Sequence, residues 1–140
     1  MKKYAVFAAG MAMLMASCGS TKPQDINLVG EWSIRAYNPA EVSSYNLVET
    51  DGDYRFEFDK DGNFYCGTDC NSISGSYVAS GDSLSFGGLM STLMACHKMD
   101  MEDAMTQALP KVRTIELSED SILSMKESGG NVVVRLVKVK

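Results

Sequence analysis

The chain has 140 residues, 45% of them hydrophobic and 22% charged, with a formal net charge of −5 and one histidine. This is enough for one core and too little for two ordinary domains. No Lys/Arg cluster is present, which disfavours charge-driven binding to nucleic acid or anionic lipid.

The N-terminus reads MKKYAVFAAGMAMLMASCGS. Lys2 and Lys3 form a positive n-region, and Tyr4 to Ala16 is an apolar run of 13 residues. That length suits a secretory leader and is too short to span a bilayer comfortably. Met15-Ala16-Ser17-Cys18 then follows the pattern of a bacterial lipobox, with Met where Leu is more usual. The expectation is a leader over residues 1–17, with Cys18 lipidated by palmitate-type chains that anchor it at roughly 0.8 kcal/mol per buried CH₂. The plainer reading is an ordinary signal peptide cut near Ala16, leaving Cys18 as a stray thiol. Residues 1–17 hold two of the 13 basic residues and none of the 18 acids, so the remainder carries −7. Residues 18–25 read as a polar tether, and residues 26–140 as one domain. No acidic run follows Cys18, which points to the periplasmic face of the outer membrane.

The domain is β-patterned nearly throughout. Leu28 to Tyr37 alternates around Trp32, Ile34 and Ala36, with a bend expected at Gly30. Tyr54, Phe56 and Phe58 put three rings on one face of a strand. Asp59-Lys60-Asp61-Gly62 is a hairpin turn, and Asn63 to Cys66 the return strand. Further strands are expected at Asn71–Ala79, Ser83–Phe86, Thr114–Leu117, Ile122–Lys126 and Val132–Val139. One segment changes period. Met101, Ala104, Met105, Ala108, Leu109 and Val112 are spaced three and four apart, the stripe of an amphipathic helix with Asp100 as N-cap and Pro110 at its end. The fold class is therefore mostly β (α+β): a curved antiparallel sheet or half-open barrel of about eight strands, with one helix inserted before the last strands.

The chemistry-bearing residues are few. Cys66, Cys70, Cys96 and His97 form a poor zinc set, because Cys96 and His97 are adjacent and diverge on any regular element. A Cys–His nucleophile pair fails for the same reason. No metal or cofactor is expected. In an oxidising compartment a disulfide is the default. On one continuous strand Cys66 and Cys70 would lie about 13 Å apart, beyond the roughly 7 Å limit for bridging, unless Gly67-Thr68-Asp69 turns. Cys70 with Cys96 would close a loop of about 26 residues and stabilise by about 3.5 kcal/mol. Spacing leaves both pairings open. Asp59 to Asn63 is a turn rather than an EF-hand, which needs its Gly and Glu at other positions. Ser74-Gly75-Ser76 is read as strand with a close backbone approach. Met90, Met94, Met99, Met101 and Met105 gather around the helix, where a core role comes first.

Leu28-Val29-Gly30-x-Trp32, Cys70-Asn71, Ser74-Gly75-x-Tyr77 and above all Thr92-x-Met94-Ala95-Cys96 resemble the META/HslJ-like (DUF306-type) domain family. The resemblance covers roughly Ile26 to Val139. It implies a compact β-rich domain with one helix, often on envelope lipoproteins, with no established enzymatic activity. It also implies pairing of Cys70 with Cys96, and family positions at Trp32, Asn71, Gly75, Thr92, Met94 and Ala95. Two residues depart from the pattern: Asp69 stands where Gly is usual, and Cys66 is an extra thiol. The expected function is a non-enzymatic, membrane-tethered envelope domain, monomeric, with a protein partner or a role in envelope stress and integrity. The rival is a periplasmic carrier of a hydrophobic, lipid-like ligand.

Overall fold

The computed structural model describes residues 25–40 and 45–140. The leader, Cys18 and most of the tether lie outside the described residues. Nine strands and one helix follow in order: β1 Gly30–Tyr37, β2 Val48–Glu49, β3 Arg55–Phe58, β4 Asn63–Gly67, β5 Ser72–Ser80, β6 Ser83–Ser91, α1 Asp100–Ala108, a 3₁₀ turn Leu109–Lys111, β7 Val112–Ser118, β8 Ile122–Glu127 and β9 Val132–Lys138.

All pairings are antiparallel, in the order β2-β1-β3-β4-β5-β6-β7-β8-β9. β1 also pairs with β9, with Ser33 opposite Val137 and Trp32 opposite Lys138. That pairing closes eight strands into a barrel, so the half-open alternative is corrected to a closed one. Closure removes sheet edges that would otherwise invite pairing with other chains. The wall is thinnest between β6 and β7, which share the ladder pair Ser83–Thr114 and a bond from Ile115 N to Asp82 O at 2.8 Å.

The interior is filled with side chains from every wall. Alternation on β3 and β4 turns Phe56, Phe58, Phe64 and Cys66 inward. The Phe56 and Phe64 rings stack at 5.5 Å, and Phe86 meets Phe64 edge-on at 4.8 Å. Trp32 is buried, and its indole N–H donates to Leu28 O at 2.8 Å. The backbone therefore returns on itself before β1 starts at Gly30, where φ is +129° and a side chain would be strained. β6 is longer than expected because Gly88, at φ +59°, absorbs a bulge opposite Ser74–Ser76 and lets the strand run on to Ser91.

α1 packs one stripe onto the core, with Met101, Ala104, Met105 and Ala108 buried. Pro110 ends the α-helix as expected, but the last turn is 3₁₀ and Val112 already belongs to β7. Three of the five methionines grouped around the helix are outside the core, Met99 being only half-buried. Met90 and Met94 are exposed: Met90 points outward from the end of β6, and Met94 lies in the segment that leaves the wall before α1 begins.

Candidate functional site

The densest polar constellation lies where the β4–β5 loop meets the β6–α1 loop. Thr68 closes the first loop by donating from both N and Oγ1 to Asn71 O, at 3.0 and 2.8 Å. The three residues between Thr68 and Ser72 then tie this loop to α1 and to the β6–α1 loop.

Asp69 reaches the helix. Its Oδ2 accepts Met101 N at 3.0 Å, and its Oδ1 accepts the Tyr54 hydroxyl at 2.7 Å. The expected cap Asp100 is instead the first helical residue; Met99 precedes it and makes no side-chain cap bond. The orphan amide at the helix start is satisfied from another loop. A carboxylate there also faces the positive end of the helix dipole. Its own φ is not in the left-handed region, so Asp in place of Gly costs no strain. The hydrogen bond to Asp69, with burial adding to it, pushes the Tyr54 phenol up to about 12.

Cys70 forms the disulfide with Cys96, at a Cα separation of 6.4 Å. Cys66 stays out of it. Its thiol is buried inside the barrel, and that burial pushes it up to about 12. A thiol so placed is neither nucleophile nor exchange partner.

Asn71 is the hub. Its Nδ2 donates to Met94 O at 2.8 Å and to Glu102 Oε2 at 2.7 Å. Its Oδ1 accepts Met94 N at 2.8 Å and Thr92 Oγ1 at 2.9 Å. Those four bonds use the full capacity of a carboxamide. Thr92 Oγ1 in turn accepts Ser72 N at 3.1 Å. Asn71 and Glu102 are both buried, so each is the other's compensation for leaving water. Sequence reasoning placed Asn71 and Thr92 in a family pattern but missed Asp69 and Tyr54. No spacing rule connects a tyrosine, an aspartate and a helix start that lie far apart in the chain.

Of the other family positions, Trp32 and Gly75 are structural. A Cβ at Gly75 would meet Gly87 O at 2.6 Å and Gly88 O at 3.1 Å, the close backbone approach its sequence suggested. Met94 and Ala95 differ, since both face solvent. At Asp59 the carboxylate accepts the amides of Asp61 and Asn63 at 2.9 and 2.8 Å, as a turn residue does. Among the described residues, no three His, Cys, Asp or Glu side chains converge as a metal site. A 40 Å³ cavity between α1 and β9 is water-sized, and an open groove of 510 Å³ runs along β7 on the outside.

The META domain family model matches residues 26–140. The chain belongs to the META domain family. META domains are not a known enzyme family. An NMR structure of a protein from Burkholderia xenovorans is similar at TM-score 0.62 and 19% identity, covering 81% of this chain and 84% of that one. A crystal structure of a DUF4847 family protein from Bacteroides vulgatus is similar at TM-score 0.56 and 14% identity, covering 81% and 94%. At such identities the likeness is one of fold. A comparison with curated protein sequences finds no match.

Proposed function

We propose that this META domain is a non-enzymatic module tethered to a bacterial envelope membrane through Cys18, and that it acts by holding a protein partner on its outer surface. The observation that carries this reading is the filled barrel. Phe56, Phe58, Phe64 and Leu136 are fully buried and close the interior that a lipid carrier keeps open. The Cys66 thiol is buried and the Asn71 amide is saturated by its four bonds, so neither is free to act on a substrate. Support for the tether is the lipobox ending at Cys18, with its charged and apolar leader.

The test has two parts. Growth with a labelled fatty acid should mark the wild-type protein and leave Cys18→Ala unmarked. Amine-reactive crosslinking in native cells should trap a discrete partner with the wild type and lose it when the protein is released by Cys18→Ala. Unlabelled wild type, or no adduct at all, overturns the reading.

A further inference from the structure

The loop Thr92–Met99 presents apolar side chains where a barrel has no structural need of them. Leu93 is 94% exposed, Met94 62%, and Met90 at the end of β6 68%. Yet the backbone beneath them is tied down at two points. Asn71 bonds both the N–H and the C=O of Met94, and the disulfide fixes Cys96 two residues on. Restraining a loop costs conformational entropy whether or not its side chains pack. Here the buried hub and the disulfide order a segment whose large side chains add nothing to the core. Side chains held rigid before contact lose less entropy on binding, so this geometry favours association.

Position in the fold selects the occupant. Asp25, where the described chain begins, accepts Gly81 N at 2.9 Å and so lies at the β5–β6 turn. The loop sits at the other end of β6, roughly 30 Å of strand away. The seven steps of chain from Cys18 to Asp25 reach at most about 24 Å. Measured along the strand, Cys18 therefore cannot itself reach the Leu93 loop, whose apolar tip lies at the opposite end of β6 from the point where the tether joins. Lys98, exposed in the same loop, supplies a positive charge on a domain of net negative charge.

We infer that Met90, Leu93 and Met94 are the docking tip for an envelope protein with an apolar slot and a carboxylate that meets Lys98. This rests on the tethered-module reading above and assigns its contact surface. Val78, 70% exposed on β5 near the tethered end, is the matched control.

The experiment places a photo-crosslinking amino acid at Leu93 or at Val78 in the full-length protein, in its own cells. The expected result is one discrete protein adduct from Leu93, absent from Val78 and lost when Lys98→Glu is added. The adducted protein, identified and purified, should bind the lipid-free domain about 30-fold more weakly after Leu93→Ser, the loss typical of a central contact residue. Cys70→Ala/Cys96→Ala, checked for folding by circular dichroism, should weaken binding although Leu93 is intact. Equal adducts from Val78, or binding indifferent to Leu93→Ser, overturn the assignment. So does an adduct to a second copy of the chain. Leu93-dependent flotation of the lipid-free domain with phosphatidylethanolamine–phosphatidylglycerol vesicles overturns it in favour of a lipid surface. If amine crosslinkers trap a partner while Leu93 traps none, the tip fails and the tethered-module reading stands; if neither traps one, both fail.

Discussion

The Asn71 side chain pairs with the backbone of Met94 as another backbone would, accepting Met94 N and donating to Met94 O, both at 2.8 Å. One carboxamide thus replaces a stretch of ladder where β5 and the β6–α1 loop part company. Its remaining Nδ2 hydrogen goes to Glu102, which ties the same residue to the helix.

Asn71→Ala is therefore expected to cost about 2–4 kcal/mol, because it leaves the buried Glu102 carboxylate without its partner and breaks both bonds to Met94. Urea unfolding measures this. The double variant Asn71→Ala/Glu102→Ala should lose clearly less than the sum of the singles, as residues sharing one network do. Strict additivity would mean the two do not act together.

Opening the disulfide should lower stability by about 3.5 kcal/mol, set by the 26-residue separation of Cys70 and Cys96. Thermal unfolding with and without a phosphine reductant reads the shift. Cys70→Ala/Cys96→Ala should reproduce it and be insensitive to reductant. Cys66 should resist alkylation at mild alkaline pH in the folded protein and react once the chain unfolds, since burial removes its thiolate.

Gly75→Ala should destabilise by about 2 kcal/mol or more. The new Cβ meets backbone, Gly87 O at 2.6 Å, as well as the Phe64 ring at 3.0 Å, and the bulge at Gly88 leaves little slack. Gly87→Ala is the contrast, with its nearest neighbour the Ser76 side chain at 3.8 Å. Equal losses at the two glycines would refute the close-approach account.

The Tyr54–Asp69 bond predicts an alkaline weakness. Tyr54 is raised from 10.0 to about 12 in the folded protein, so its contribution is fully present below pH 10 and is lost as pH rises towards 12. Tyr54→Phe should flatten that part of the stability profile. Asp69→Asn should let a tyrosine titrate earlier by ultraviolet absorbance, and should also loosen the start of α1, because Met101 N loses its carboxylate.

Asp120→Gly should stabilise by about 0.5–1 kcal/mol. Glu119 and Asp120 both hold left-handed backbone, at φ +53° and +57°, in the turn closed by Ser121 N to Ser118 O. A side chain there is strained and glycine is not. An unchanged or lower denaturation midpoint would show the strain to be negligible.

The sequence by itself determined whatever depends on neighbours along the chain. Alternation at Phe56 and Phe58 marked a wall strand, the three-and-four spacing from Met101 to Leu109 marked the helix, and Asp59 to Gly62 marked a turn, because period and turn chemistry are local. The order of short motifs named the family for the same reason. Tertiary structure decided what distant segments do to one another. Closure through β1 and β9 depends on the twist accumulated around the whole sheet. Asp69 became the helix cap, and Asp100 did not, because the β4–β5 loop lands on the helix start. Met90 and Met94, apolar and close to the helix in sequence, faced water instead of the core. Hydrophobicity says what a residue gains by burial, but only the path of the chain says whether there is a place to bury it.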